Sequence, residues 1–235
     1  MPIGQAWIDV GCGTGALCQT ILEMASPRYV VGVDASHEYV EYARQQVRSA
    51  NACFQVSDAR ALLFKDSSYD ATVSGLVLNF VPEAGRAVAE MTRVVREGGA
   101  VAAYVWDYAG EMQLMRHFWD AAGELDPAAR ELDEGARFKI CSPKPLESLF
   151  QGAGLQDVEV RAIDVLTLFR DFDDYWSPFL GGQGPAPGYA MSLSEGRRAA
   201  LRERIRAGLP IASDGSIHMS ARAWAVRGTR GRGKG

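Results

Sequence analysis

Three glycines follow a carboxylate near the start of the chain, and this pattern is the one best suited to chemistry. The run reads Asp9-Val10-Gly11-Cys12-Gly13-Thr14-Gly15. Because glycine has no Cβ, such a turn can adopt positive φ and let a ligand lie against the backbone. The turn opens a segment with helical spacing, and the N–H groups and dipole of a helix N-terminus favour an anionic group such as a carboxylate.

Two further carboxylates stand where later strands of the sequence end. Asp34 closes the apolar run 29–34, and Asp58 follows the apolar run 53–56. A carboxylate at the first position can accept two hydrogen bonds from a ribose diol. A carboxylate at the second can meet an adenine amino group. Together with the glycine turn, these residues predict a site for an adenosine that carries an amino-acid tail.

The elements that must position these residues alternate between strand and helix. Apolar runs indicate strands at 7–10, 29–34, 53–56, 69–79 and 100–106, with amphipathic helical segments between them. Gly98 and Gly99 are expected to stop the helix that begins near Pro82. This alternation predicts a parallel sheet covered by helices on both faces, in which ligands bind beyond the carboxyl ends of the strands.

The second half of the chain is less regular. The patterns predict helices at 112–122 and 142–153, a further helix from a capping box at 192–195 to about residue 208, and strands at 158–162 and 217–226. We expect one domain over 1–226, with a cofactor-binding half at 6–107 and substrate or lid insertions at 108–141 and 166–213. The tail 227–235 alternates glycine with arginine or lysine and is expected to be flexible.

The glycine turn and its preceding acid resemble the first motif of class I S-adenosylmethionine-dependent methyltransferases. Later segments resemble the family's further motifs in the correct order: Val33-Asp34-Ala35-Ser36, Ser57-Asp58-Ala59, Ser74-Gly75-Leu76-Val77-Leu78-Asn79, and the helix end Arg93-Val94-Val95-Arg96-Glu97-Gly98-Gly99. The resemblance covers about residues 6–107. Within the family, the chain is most similar to the small-molecule branch called methyltransferase type 11, near the quinone-biosynthesis C-methyltransferases.

The resemblance implies a Rossmann-like α/β fold, doubly wound, with a mostly parallel seven-stranded sheet whose last strand is antiparallel. It also implies S-adenosylmethionine as cofactor and methyl transfer to a small organic acceptor as activity. The cofactor-binding residues that it implies are Asp9, Gly11, Cys12, Gly13, Gly15, Asp34, Ala35, Asp58, Ala59, Gly75 and Leu76.

Two other functions fit parts of the pattern. Gly11, Gly13 and Ala16 also satisfy a dinucleotide fingerprint, as in an NAD-dependent oxidoreductase. The acid at Asp9 and the third glycine at Gly15 favour the methyltransferase motif instead. The other alternative is a cofactor-binding module without turnover. Only about six residues precede the first strand, where family members usually carry a helical segment that closes over cofactor and substrate.

Candidate acceptor-site residues follow the fifth strand. Asp107 stands at a strand end, where it could position an acceptor or act as a base, although a salt bridge is an equally simple role. The other candidates are Tyr104, Trp106, Arg116, His117, Trp119, Tyr175 and Trp176. Aromatic residues at helical spacing more often belong to a core. Tyr175, Trp176 and Phe179 could instead form a lid.

Composition narrows the classes of partner. The net charge of −4 disfavours nucleic acid and anionic membranes, and no apolar run approaches the roughly 20 residues of a membrane span. The start of the chain has no signal-peptide pattern, so we expect a cytoplasmic protein with a small-molecule acceptor. A homodimer is the candidate assembly. The four cysteines are too sparse for a zinc site and suit buried, reduced thiols, so no metal is expected.

Overall fold

The computed structural model describes residues 2–181 and 184–232. Its strands are β1 (Ala6–Val10), β2 (Tyr29–Asp34), β3 (Ala52–Val56), β4 (Tyr69–Gly75), β5 (Val95–Trp106), β6 (Leu155–Phe169) and β7 (Ile217–Arg230). Its helices are α1 (Ala16–Ala25), α2 (His37–Gln46), α3 (Ala84–Val94), α4 (Gln113–Leu125), α5 (Glu134–Arg137), α6 (Pro143–Gly152), α7 (Phe172–Trp176), α8 (Pro185–Ser192) and α9 (Glu195–Gly208).

The strands form a seven-stranded sheet in the order β3-β2-β1-β4-β5-β7-β6. Pairing is parallel from β3 through to β5, and the last strand, β7, is antiparallel. The predicted fold class is therefore confirmed. The order reverses at β1, since the chain runs outward through β2 and β3 and then returns to β4 on the other side. This reversal makes the carboxyl end of β1 the switch point at which ligands bind in such sheets.

The first two helices begin as the sequence predicts. Gly15 precedes α1 with φ 87°, a conformation open to glycine without strain. Ser36 caps α2, because its hydroxyl accepts a hydrogen bond from the Tyr39 N–H at 3.1 Å. Both helices therefore start directly beyond the carboxyl end of a strand, next to Asp9 and Asp34 respectively.

Three predicted boundaries are wrong. β4 ends at Gly75 rather than near residue 79, because Leu76 turns to a positive φ of 61°. Gly98 and Gly99 do not stop α3: the helix ends at Val94 and the two glycines lie within β5. Likewise β7 continues to Arg230, so residues 227–230 of the expected flexible tail are strand. Residues 233–235 lie outside the described residues.

The described chain divides into two compact units. The first comprises 1–105, 143–161 and 225–235, and the second comprises 106–142 and 162–224. In the first unit, one core packs α1 and α2 against the sheet and contains Cys18, Val30, Val40, Ala43 and Phe54. The second unit corresponds closely to the insertions set apart by sequence, and the single domain over 1–226 stays a prediction.

The second unit has its own aromatic core. Tyr175, Trp176 and Phe179 are buried in it, together with Phe118 and Trp119 of α4. Tyr175 is fully buried and its hydroxyl donates to the Leu114 carbonyl at 2.9 Å. The rings of this segment therefore form the interior of this unit, and the lid role stays a prediction.

None of the helices within the described part of the chain combines the length and hydropathy that a membrane crossing requires.

Candidate functional site

The glycine turn between β1 and α1 is held against the end of β2. The N–H groups of Gly11 and Cys12 donate to the Val33 carbonyl at 2.7 and 2.9 Å, and the Gly15 N–H donates to the Cys12 carbonyl at 2.8 Å. Gly11, Gly13 and Gly15 have φ of 79°, 51° and 87°. All three predicted glycines thus occupy the left-handed region that other residues reach only with strain.

Only Gly13 of these glycines faces open space. A Cβ on Gly11 would lie 2.5 Å from Val77, and one on Gly15 would lie 2.8 Å from Val47. A Cβ on Gly13 would meet nothing within 4 Å. The first and third glycines are therefore required by packing, and the backbone at Gly13 is the surface that a ligand could approach.

Asp34 links the turn to the start of α2. One carboxylate oxygen accepts the Gly13 N–H at 2.9 Å, and the other accepts the Ser36 N–H at 2.9 Å. An ionised carboxylate has about four lone-pair sites, so each oxygen can accept a further bond. The structure thus fixes Asp34 at the edge of the turn with capacity left for a diol.

Asp9 lies beneath the turn, removed from water. Its exposure is 1%, and one oxygen accepts a hydrogen bond from the Cys18 thiol at 3.3 Å. The other oxygen is buried and has no hydrogen-bond partner within the described residues. Burial raises the pKa of Asp9 to about 7, an effect that the Cys18 bond opposes and the charge of Asp34 increases. A buried unpaired acceptor is costly, and it marks a position where a donor from a ligand would be stabilising.

Asp58 carries an ion pair that the sequence analysis did not anticipate. Arg60 binds its carboxylate through Nε and Nη2, with the shortest contact at 2.8 Å, and this pairing lowers the pKa of Asp58 to about 2. The Arg60 Nη1 also lies 3.9 Å from the Glu83 Oε1, at the start of α3. The position two residues after the predicted adenine-binding acid was the signal that could have identified Arg60.

A cavity of about 260 Å³, just below the usual size range of ligand pockets, lies beside the turn, and neither Asp9 nor Gly13 is among its lining residues. Its lining includes five of the predicted residues: Gly11, Asp34, Ala35, Asp58 and Ala59. It also includes residues that sequence reasoning missed: Ser57, Arg60, Val77, Phe80, Val81 and Pro82. Ser57 and Arg60 follow β3, whereas the other four residues follow β4 and supply an apolar wall.

The remaining predicted cofactor residues border this region. Cys12 is buried behind the turn. Gly75 ends β4, and the Leu76 N–H donates to the Tyr104 carbonyl at 2.8 Å. Of the four thiols, Cys12, Cys18 and Cys141 are buried as expected, but Cys53 is exposed, which corrects that prediction.

The carboxylate of Asp107, in the second unit, accepts hydrogen bonds from the backbone of the turn that follows it. Its two carboxylate oxygens accept the N–H groups of Gly110 at 3.1 Å and Glu111 at 3.0 Å. These bonds hold the chain between β5 and α4 and explain the burial of the side chain. The salt bridge considered above does not occur among the described residues, and a catalytic role for Asp107 stays a prediction.

The other acceptor candidates of the second unit also have structural partners. Arg116 pairs with Asp133, and the Trp119 Nε1 donates to the buried Glu134 carboxylate. His117 is partly buried on α4. The first contact gives Arg116 an ion-pair role that the sequence did not suggest, and the second favours the core role for Trp119.

Comparison with known proteins agrees with the geometry. The family model for the methyltransferase domain matches residues 8–103. A 2-methyl-6-phytyl-1,4-hydroquinone methyltransferase of Synechocystis is 29% identical over 188 residues, 78% of this chain and 57% of that protein. This chain therefore spans little more than half the length of that relative.

Two further proteins extend the comparison. A demethylmenaquinone methyltransferase of Roseiflexus castenholzii is 35% identical over 169 residues, which cover 66% of this chain and 70% of that protein. The solved structure of Haemonchus contortus phosphoethanolamine N-methyltransferase 2, in complex with phosphomonomethylethanolamine and S-adenosylhomocysteine, has a TM-score of 0.61 at 15% identity. It covers 99% of this chain and 50% of that one. This chain belongs to the class I S-adenosylmethionine-dependent methyltransferase family.

Proposed function

We propose that this chain binds S-adenosylmethionine and transfers a methyl group to a small organic acceptor. The observation that carries the proposal is the buried, unpaired oxygen of Asp9 directly below the glycine turn, whose Gly13 N–H donates to Asp34. A buried acceptor without a donor costs stability, and the ammonium group of an amino-acid ligand is a donor that can pair with it.

Each part of the cofactor has a matching group. We assign the ammonium to Asp9, the ribose diol to Asp34 and the adenine amino group to Asp58, whose carboxylate Arg60 orients. The open backbone face at Gly13 leaves room for the amino-acid tail to pass. The apolar residues after β4 that line the cavity offer a surface for the adenine ring.

When bound, the cofactor would supply a methyl carbon attached to a sulfonium, which is a good leaving group. The task of the protein is then mainly to hold the acceptor in line with that carbon and to exclude water from the reacting atoms. A general base is needed only for an acceptor that must lose a proton during attack. The absence of a catalytic triad within the described residues is compatible with this chemistry.

A small acceptor is supported by the names of the two quinone-pathway relatives, which methylate a phytyl hydroquinone and a demethylmenaquinone. The net charge of −4 does not favour a nucleic-acid substrate. A cytoplasmic location and a homodimer stay predictions of the sequence.

Calorimetric titration tests the cofactor. We expect micromolar binding of S-adenosylmethionine and S-adenosylhomocysteine, and no binding of NADH. Asp34→Ala should weaken binding at least tenfold, because both ribose hydroxyls lose their acceptor. Intact binding in that variant contradicts the ribose assignment, and binding of NADH alone supports the oxidoreductase alternative.

Turnover needs a separate measurement. Purified protein with methyl-labelled cofactor is screened against hydroquinones, phenols and amines, and label in the organic product is counted. Transfer to at least one acceptor supports the proposal. Tight cofactor binding with no transfer to any of them supports the alternative of a binding module.

A further inference from the structure

Tyr104 lies directly on the glycine that ends β4. The strands pair with Gly75 opposite Tyr104, and a Cβ on Gly75 would lie 2.5 Å from the tyrosine hydroxyl oxygen and 2.7 Å from the ring carbon that bears it. No side chain fits at residue 75 unless this ring moves. The hydroxyl of Tyr104 is therefore placed over the end of β4.

The same side chain shares a face of the sheet with Asp9. Asp9 pairs with Val73, and Val73 pairs with Ala102. Side chains alternate along a strand, so Gly75 and Tyr104, two residues further along, lie on that face as well. Tyr104 thus reaches over β4 on the side where Asp9 lies beneath the glycine turn.

The hydroxyl is a donor in surroundings of low polarity. Tyr104 lines a largely apolar groove of about 300 Å³ together with Leu17, Val73 and Ala102, and the lining also includes Glu159, Arg161 and Arg227. Burial raises its pKa, and the nearby charge of Asp9 raises it further, so the hydroxyl stays protonated. Within the described part of the chain it has no hydrogen-bond partner. A hydrogen bond formed here gains strength from the low local polarity.

We propose that the Tyr104 hydroxyl donates a hydrogen bond to the amino-acid carboxylate of the bound cofactor. This inference rests on the proposed function. The carboxylate and the ammonium of that ligand are attached to one carbon, so the carboxylate must lie within a few ångströms of the group that meets Asp9. Asp9 repels it, and the protonated hydroxyl on the same face of the sheet offsets that repulsion.

The test compares two ligands and two variants by calorimetry. Tyr104→Phe keeps the ring on Gly75 and removes only the hydroxyl. We expect it to bind S-adenosylhomocysteine about tenfold or more weakly than the unmodified chain, the effect of losing a hydrogen bond to a charged group. With decarboxylated S-adenosylhomocysteine, which keeps the ammonium and lacks the carboxylate, the two proteins should bind equally.

Tyr69→Phe is the matched control. Tyr69 is a buried tyrosine at the opposite end of β4, and this change should leave both affinities unaltered. Equal binding of S-adenosylhomocysteine by Tyr104→Phe and the unmodified chain overturns the inference, as does an equal loss with both ligands. Failure of the unmodified chain to bind S-adenosylhomocysteine is a distinct outcome, which contradicts the proposed function itself.

Discussion

Asp9 is the group of the candidate site whose ionisation is balanced near neutral pH. Its carboxylate has lost its water, retains a single thiol donor and lies near the negative charge of Asp34. Desolvation disfavours the charged form, and this effect is the largest cause of its pKa of about 7. A bound ammonium would reverse this balance by stabilising the ionised form.

Cofactor affinity should therefore depend on pH. Below its pKa, Asp9 must lose a proton before it can pair with the ammonium, so affinity rises as the pH increases. We expect about an eightfold gain in S-adenosylhomocysteine affinity between pH 6 and pH 7.5, the rise in the ionised fraction of a carboxyl with a pKa of about 7; above this range the amine of the ligand itself begins to titrate. Calorimetry in buffers across this range measures the change.

Asp9→Asn supplies the control for that experiment. The amide does not titrate, so its weaker binding should show no dependence on pH over the same range.

Asp9→Asn should also change how the stability of the protein depends on pH. The folded chain holds a proton on Asp9 between about pH 4 and pH 7, whereas the unfolded chain does not. The free energy of unfolding of the unmodified protein therefore falls as pH rises through this window. The melting temperature of Asp9→Asn relative to the unmodified chain should then be higher at pH 8 than at pH 5, and a constant difference would contradict the raised pKa.

At the scale of the element, the three glycines of the turn between β1 and α1 have two different roles. Two of them face Val77 and Val47, and the third faces open space. The positive φ of these glycines thus has two effects within one short segment. At Gly11 and Gly15 it lets neighbouring elements come close, and at Gly13 it exposes backbone to a ligand.

Gly13→Ala should separate binding from stability. The added methyl group meets no protein atom, so the backbone conformation alone costs about 1 kcal/mol of stability. The methyl group projects into the space assigned to the cofactor, so we expect S-adenosylhomocysteine affinity to fall by tenfold or more. Thermal denaturation and calorimetry on the same sample measure the two effects.

Gly98→Ala is the matched variant for this experiment. Gly98 has φ 73°, and a Cβ there also meets nothing within 4 Å, but it lies in the first residues of β5, away from the cavity. It should lose a similar amount of stability and keep full affinity. Equal affinity in both variants would show that no ligand approaches Gly13.

At the scale of the whole molecule, the end of β7 makes hydrogen bonds to distant segments of the first unit. The Arg230 guanidinium donates to the carbonyls of Arg93 and Val95 and, at 3.2 Å, to the Ser67 hydroxyl. These groups lie where α3 turns directly into β5, and the Arg93 carbonyl also accepts the Ser67 N–H. Residues near the C-terminus thus hold a junction in the middle of the sequence.

Arg230→Ala should destabilise the protein by about 1 to 3 kcal/mol, because charged hydrogen bonds to backbone carbonyls are lost. This loss corresponds to a melting temperature lower by several degrees for a chain of this size. Arg232→Ala, at an exposed residue beyond β7, should leave the melting temperature unchanged. The same melting temperature for both variants would contradict a stabilising role for these hydrogen bonds.

Much of the first unit could be predicted from sequence, and its errors have local causes. The strands β1 and β2, the capped start of α2 and the glycine turn depend on neighbouring residues, whose spacing is visible in the chain. The boundaries at Gly75 and Val94 were misjudged because they depend on Leu76 and on strand pairing, which override the usual preference of Gly98 and Gly99 for helix ends. Arg60 was missed because an ion pair across a short loop leaves no periodic signal.

By itself the sequence determined the order of elements, the family and the carboxylates at the strand ends, because local spacing and short motifs encode them. Only the tertiary structure decided how these residues are used. It buried Asp9, placed Tyr104 over Gly75 and made the aromatic segment around Tyr175 a core. Each of these outcomes depends on desolvation or on contacts between residues far apart in the chain, and such contacts exist only after the strands have paired and the helices have packed.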